Sequence, residues 1–553
     1  MHLRDLVAAR VVEALTRAQA DQSLPTVPVP DGLVERPQNT DHGDFASSAP
    51  LKLARTMRMS PMAIAEKLAE FIDTDGEISA VDVAAPGFIN FTLAPEWLQE
   101  QVDQVLSAGN AFGSTEAGKG QKIQVEYVSV NPTGPLHIGH ARGAVLGSVL
   151  SSVLAAAGYE VSREYYLNDA GNQIDLFHQS LFATYLQALG KDAEVPDNGY
   201  RGQYMVDLGK EMAEAHGSKF LDMLSDEGVV ALGKIGVEHM IEGIKNDLAT
   251  LNVEFDVWFS ETSLYTDKYY DTTMKMLADG GHLTQREGAT WFVSTELGED
   301  KDNVLIKSTG VPTYFASDAA YHYNKFTVRG FDKVTNIWGA DHMGHIGRVK
   351  AVVGALGIDR DKLNIIIGQM VALKRGGETV KVSKRTGDII TLKELLEEVG
   401  PDACRYFFLA RSADAQMDFD MDLAIKESQD NPVYYLQYAH ARLAGILRNA
   451  KENDKDFAQG DVHLLSTPEE LTLIRHLLML PEIVDSIVDT MEPHHLPHYT
   501  LELATAFHSF YDRCRVITDD EALTSARLKL VEASRIGFSR CLSLMGMNAP
   551  EKM

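Results

Sequence analysis

The segment KIQVEYVSV (residues 122–130), running through NPTGP (131–135) into HIGHARGAVLGSVLSSVLAAA (137–157), decides the fold of this chain. Its first part is rich in β-branched and aromatic residues and is bounded by polar and glycine residues, which predicts a buried strand. In the last part Val145, Val149 and Val153 run in step with Leu146, Leu150 and Leu154 at four-residue spacing, the pattern of a buried helix. Gly139, Gly143, Gly147 and Ser151 add a ridge of small residues, so a sheet or a nucleotide can approach the helix backbone closely. Strand, tight turn and helix in this order open a nucleotide-binding α/β unit.

Further strands of parallel type are expected downstream, at Val334–Trp338 and Asn364–Ile367, so the sheet is split by a mixed helical insertion over about residues 179–298. Upstream, Leu3, Val7, Val11 and Leu15 share one face of a starting helix. A proline-rich connection at Pro25–Pro30, a helix over Pro61–Ile72, a strand GFINFTL (87–93) and a helix at Pro95–Ser107 complete a small α/β unit. Beyond Thr391 strand signals fade. Leu395, Val399, Tyr406 and Leu409, then Ile474, Leu477, Leu478 and Ile483, predict amphipathic helices packed as a bundle. The expected fold class is α/β: a Rossmann-like parallel-sheet domain with an insertion over residues 111–400, a small α/β domain over 1–110, and an α-helical bundle over 401–553.

A chain of 553 residues exceeds what one hydrophobic core supports, in keeping with several domains of about 100–200 residues each. Its 45% hydrophobic and 24% charged content is that of a soluble globular protein, and no stretch approaches the ~20 apolar residues that span a bilayer. Asp5 and Glu13 interrupt the N-terminal helix and argue against a targeting peptide. Cys404, Cys514 and Cys541 are widely separated and form no Cys-x-x-Cys pair, so neither a disulfide framework nor a zinc site is expected; the expected compartment is the reducing cytoplasm. The net charge of −28 opposes nucleic-acid binding by composition alone, although local patches rather than global charge set the field at a groove.

His137-Ile138-Gly139-His140 falls where the first strand hands over to its helix, so two imidazoles and free backbone N–H groups converge on a spot suited to phosphate. Alone, this spacing reads sooner as a helix start bearing two surface histidines. Lys381-Val382-Ser383-Lys384-Arg385 follows a glycine-rich stretch and alone reads as a solvated basic loop, yet two lysines on a mobile loop also suit departing β- and γ-phosphates. In this order, about 240 residues apart, the two elements resemble the HIGH and KMSKS signatures of class I aminoacyl-tRNA synthetases, with Val382 and Arg385 as departures. Pantetheine-phosphate and nicotinate-mononucleotide adenylyltransferases share the first signature but are much shorter.

VEYVSVNPTGPLHIGHARGAVLG, EYYLNDAGNQI (164–174), NPVYYLQYAHAR (431–442) and DHGDFA (41–46) together resemble arginyl-tRNA synthetases over essentially the whole chain. The resemblance implies a class I ligase that uses ATP with Mg²⁺ and L-arginine and charges tRNA(Arg), acting as a monomer with no membrane association. It makes residues 1–110 a tRNA-contacting domain and residues 401–553 an anticodon-binding bundle. It places catalysis on His137, His140, Lys381 and Lys384, ATP binding on His137, Gly139, His140, Asp341, Ser383 and Lys384, and arginine binding on Glu126, Ser129, Asn131, Tyr314 and Asp318, with no protein-bound metal. Two carboxylates and a phenol suit a guanidinium, whose planar fork of donors rewards fixed acceptors. A polar pocket of that kind discriminates by roughly 10⁴–10⁵, so no editing domain is expected.

Several elements keep other readings. Tyr314 and Asp318 read equally as a core tyrosine and a helix cap, and Trp338-Gly339-Ala340-Asp341-His342 as a polar strand end. Tyr434, Tyr435 and Tyr438 either stack on anticodon bases or pack inside the bundle. Some arginyl enzymes replace the second lysine signature with a lysine in the turn before the first; Gly134 stands there and Lys384 is present, so the chain resembles the subgroup with the lysine loop. Gly113–Lys119 imitates a P-loop, but Gly120 replaces its Ser or Thr and a helix precedes it, so a flexible linker is expected. A different class I relative and a non-catalytic tRNA-binding paralogue are the competing functions.

Overall fold

Five strands form one parallel sheet in the computed structural model, which describes residues 3–37, 39, 42–221, 223, 225–380 and 390–553. They are β1 (Lys122–Glu126), β2 (Glu160–Leu167), β3 (Val257–Ser260), β4 (Lys333–Gly339) and β5 (Leu363–Gly368), in spatial order β5-β4-β1-β2-β3. The chain builds outward from β1 through β2 to β3, then returns to the other side of β1 for β4 and β5. The order therefore reverses between β1 and β4, where Asn336 is the register partner of Glu126. In open α/β sheets, ligands bind at the carboxyl ends of the strands at such a point.

The helix α1 (Ile138–Ala156) returns the chain from β1 to β2 and is buried on nearly all sides. It is long and apolar enough to cross a membrane, but its burial makes it a core helix. A Cβ on Gly147 would lie 2.1 Å from the Tyr127 ring, so the small-residue ridge is what lets α1 sit on the end of β1. The strand ends at Glu126 rather than running on to Val130. Val128 and Ser129 have φ of 68° and 46°, and the turn they make is held by local bonds: Ser129 Oγ accepts from Tyr166 N (3.1 Å), and Tyr165 Oη brackets Val130 at its N–H (3.2 Å) and carbonyl (2.9 Å).

The range expected as one insertion holds two excursions separated by a core strand. Helices Asn172–Ala188, Gln203–His216 and Ser225–Thr250 form the first, with its own apolar cluster around Phe177, Leu181 and Tyr185. The chain then re-enters the main sheet as β3, four partly buried residues at its edge, too short for periodicity to reveal. The second excursion includes a three-stranded antiparallel sheet, Leu283–Arg286, Ala289–Phe292 and Asn303–Ile306.

Before the sheet, helix Leu3–Ala20 buries Leu3, Val7, Val11 and Leu15, as its four-residue spacing requires. A four-stranded antiparallel sheet completes this unit, with the expected strand at Phe88–Leu93. After the sheet come helices Pro432–Glu452, Pro468–Leu477, Leu480–Thr490, His495–Arg513 and Glu521–Leu544. Asn431, Thr467 and Asp520 cap three of them by accepting backbone N–H bonds. One strand lies beyond Thr391 after all: Met417–Asp420 pairs in parallel with Val371–Arg375. Arg475 bonds Asp44 at 2.6 Å and Arg36 bonds Glu482 at 3.0 Å, fastening the N-terminal unit to the bundle.

The Gly113–Lys119 segment is not a free linker. Thr115, Gly118 and Gly120 donate backbone bonds to Ala156, Ala157 and Gly158 at the end of α1 (2.8, 2.7 and 2.9 Å), and Gly118 lies against the Tyr159 ring.

Candidate active site

The carboxyl ends of β1 and β4 carry the site. His137 caps α1: its Nδ1 accepts from Gly139 N at 3.1 Å, while His140 Nδ1 accepts from His137 N at 3.4 Å. The two rings lie 3.6 Å apart, so both signature imidazoles occupy one spot at the start of the helix. The helix dipole and its first N–H groups favour an anion there.

Lys381, Ser383 and Lys384 lie outside the described residues; the chain that follows, from Thr391, is joined to the histidine turn. Val380 donates to Leu373 at 2.8 Å, and Leu392 N donates to Leu136 O at 2.8 Å. Thr391 forms a bridge with His137 and caps helix Leu392–Val399 through a reciprocal arrangement with Glu394.

Asp318 sits one turn after Tyr314 on helix α2 (Tyr314–Tyr323). Tyr314 is 59% exposed, not a core tyrosine. Burial pushes the Asp318 carboxyl up to about 7; Arg348 opposes the shift, and the negative charges of Glu126 and Glu261 reinforce it. Glu261, immediately after β3, is itself buried and raised, first by desolvation, with the hydroxyls of Ser317 and Tyr166 opposing and the charge of Asp169 adding to the rise. Two electrostatically coupled carboxyl groups that resist ionisation suit a cation with several donors.

Glu126 differs from them. Its carboxylate accepts from the fully buried Lys325 at 2.5 Å, so it enters the pocket already paired. Lys325 also donates to Asn336 at 2.9 Å; Asn336 meets His322 Nε2 at 3.0 Å, and His322 Nδ1 lies 2.7 Å from the Asp318 carbonyl. Lys325 belongs to a π-helical turn, Asn324–Val328, that follows α2, an irregularity frequent at functional sites. Asn131 donates to Gln173, and Ser129 is committed to the turn by its bond from Tyr166. Asp341, at the end of β4, points to solvent with its side chain 82% exposed, 3.5 Å from His342 Nε2.

Three family descriptions match the chain end to end: arginyl tRNA synthetase N terminal domain over residues 3–93, tRNA synthetases class I (R), catalytic domain over 101–431, and DALR anticodon binding domain over 436–553. An arginine–tRNA ligase of Dehalococcoides mccartyi is 54% identical over 551 residues, covering 100% of this chain and 99% of the relative. The chain belongs to the arginyl-tRNA synthetase family. The arginine–tRNA ligase of Heliobacterium modesticaldum is 47% identical over 558 residues, 100% of this chain and 99% of its own. The arginyl-tRNA synthetase of Thermus thermophilus shares the fold, with a TM-score of 0.78 at 22% identity and both chains covered completely.

Three residues of the candidate site were not legible in the sequence. Glu261 ends a short run, DVWFSE, whose β-branched and aromatic residues were the available signal. Lys325 carries none, because a lysine after an apolar helix reads as a surface residue. Arg142, on α1 just after the histidine signature, is 1% exposed and donates to the carbonyls of Gln369 (3.1 Å), Ala415 (2.7 Å) and Ser412 (2.7 Å). It ties the histidine helix to the segments that frame the lysine signature.

Proposed function

We propose that the chain activates L-arginine with ATP to form arginyl-adenylate and pyrophosphate, then transfers the arginyl group to the 3′-terminal adenosine of tRNA(Arg). The observation that carries this reading is the electrostatic coupling of Asp318 and Glu261, with Asp318 one turn after Tyr314 on α2. A guanidinium supplies the positive charge and the fork of donors that both carboxylates lack, whereas a lysine ammonium supplies a point charge. Glu126, neutralised by Lys325, forms the floor of the pocket, and Ser129 and Asn131 sit on the turn that faces the arginine main chain.

The arginine carboxylate attacks the α-phosphorus of ATP in line, forming a new P–O bond as the bond to the pyrophosphate oxygen breaks. Such a transition state needs positioning and charge stabilisation rather than covalent help. His137, Gly139 and His140 hold phosphate oxygens at the start of α1, Lys381 and Lys384 take the departing pyrophosphate, and Ser383 and Asp341 complete the nucleotide contacts. Mg²⁺ would arrive with the nucleotide as MgATP and offset the charge of its phosphates, and no residue of this chain is assigned to it as a ligand. The 2′-hydroxyl of the terminal adenosine then attacks the activated carbonyl and AMP leaves.

Residues 1–110 are assigned to tRNA contact, 111–400 to catalysis and 401–553 to anticodon reading. Tyr434 and Tyr438 stack at 6.0 Å and 9°, and the Arg442 guanidinium lies over both Tyr438 (4.5 Å) and Tyr511 (4.3 Å). Partly exposed rings and a guanidinium plane are platforms for splayed bases. The enzyme acts as a cytoplasmic monomer. Charging of tRNA(Arg) with labelled arginine tests the pocket: Asp318→Asn should raise the KM for arginine far more than that for ATP, and an unchanged arginine KM removes Asp318 from the assignment.

A further inference from the structure

A second polar cleft, about 550 Å³ in volume, opens at the opposite edge of the parallel sheet, where β4 and β5 begin. Lys333 and Gly339 are the two ends of β4, so the cleft and the active site are separated by roughly 20 Å at about 3.3 Å per residue. Four lysines line it: Lys333 from β4, Lys350 from helix Ile346–Ala355, Lys362 from the turn before β5, and Lys119 from the pinned Gly113–Lys119 segment. Lys333 donates to Tyr159 Oη at 3.2 Å, and the ammonium groups of Lys119, Lys350 and Lys362 have no ion-pair partner among the described residues.

The floor supplies the second observation. Thr335 Oγ1 and Asn364 Nδ2 are both buried without a hydrogen-bond partner, and Thr335 is only 1% exposed. The two residues are register partners across β4 and β5 and both face the cleft. Buried polar groups are rarely left unpaired, because each costs about 1–3 kcal/mol. Asp361 and Asp489 also line the cleft, and helix Leu480–Thr490 ends there with its carbonyls, so an anion is not favoured on every side. Four ammonium groups nevertheless outnumber two carboxylates, in a chain where Asp and Glu (79) outnumber Lys and Arg (51).

We propose that this cleft binds a compact polyphosphate anion, either an inorganic polyphosphate or the phosphate tail of a nucleotide. The four lysines hold the phosphate oxygens, and Thr335 Oγ and Asn364 Nδ2 donate hydrogen bonds from the floor. Its volume is within the roughly 300–1,000 Å³ of small-molecule sites. Lys119 thereby acquires a phosphate-binding role by a different route from the P-loop it imitates, through the cleft rather than through a strand-to-helix turn.

The full-length chain, with its active site saturated by a non-hydrolysable arginyl-adenylate analogue, is titrated calorimetrically with inorganic tripolyphosphate. One equivalent should bind, with affinity falling as salt rises. The pair Lys350→Gln and Lys362→Gln should weaken it about tenfold or more, Thr335→Val should weaken it further, and tRNA charging should be unchanged. A parallel titration with ADP separates the sources: tighter binding than tripolyphosphate identifies a nucleotide site, and equal or weaker binding identifies recognition of the phosphates alone. No binding at millimolar tripolyphosphate, or binding that these substitutions leave unaltered, overturns the proposal.

Discussion

Lys325 Nζ lies 2.5 Å from Glu126 Oε2, and both side chains are buried, close enough for their charges to act on the Asp318 carboxyl. Removing one partner of such a pair strands the other charge, at about 3–5 kcal/mol. Lys325→Met should therefore lower the urea midpoint strongly, and adding Glu126→Gln should recover much of the loss. Equal destabilisation by the single and double variants would show that the ion pair is not what Lys325 contributes.

The Asp318 carboxyl titrates at about 7 in the folded chain, against about 3.9 in an unfolded one. Between these values the folded state holds a proton that the unfolded state has released. The contribution of Asp318 to stability is thus present below about pH 4 and is lost as pH rises toward 7. A guanidinium needs the ionised form, so arginine binding should release close to one proton at pH 6 and almost none at pH 8. The arginine affinity should fall up to about tenfold per unit below pH 7. Calorimetry in buffers of different ionisation enthalpy reads both effects, and a pH-independent affinity contradicts the assignment.

His140→Ala should reduce adenylate formation by roughly 10²–10³, the loss expected for one transition-state donor, with tRNA affinity nearly intact. The imidazole also accepts the His137 N–H, so His140→Asn serves as the control that keeps a capping acceptor. Single-turnover adenylate formation separates the roles: if Asn restores the rate, His140 acts through the helix start alone.

Arg142→Leu leaves the carbonyls of Gln369 and Ala415 without their donor, removes one of the two donors to Ser412, and should cost roughly 2–4 kcal/mol in urea unfolding. Arg142→Lys should recover only part of this, since an ammonium cannot reproduce the planar fork. A variant as stable as the parent would mean that the carbonyls find other partners.

The strand–turn–helix core was readable because α1 is apolar on every face and its small residues fall at fixed spacing. The histidine turn was readable for the same reason: it sits at the junction of two unmistakable elements. β3 was not, since four half-buried residues at a sheet edge carry no period. Its absence from the sequence reading hid Glu261, which β3 positions. Glu126 was named from the sequence as a candidate arginine contact, but its pairing with Lys325, a residue 199 positions away delivered by a π-helical turn, was not legible there. Composition places a lysine outside, and only tertiary structure puts this one in. The Met417–Asp420 strand escaped for a related reason: its partner precedes the lysine signature in sequence, and its alternation of buried and exposed residues spans only four positions.

ATP–pyrophosphate exchange with each of the twenty amino acids, run with and without total tRNA, tests the central claim most directly. Exchange with arginine alone is expected, and exchange that appears only when tRNA is added would make tRNA part of the activation site. Exchange driven by another amino acid would contradict the guanidinium pocket at Asp318 and Glu261, and no exchange under either condition would contradict the activation chemistry itself.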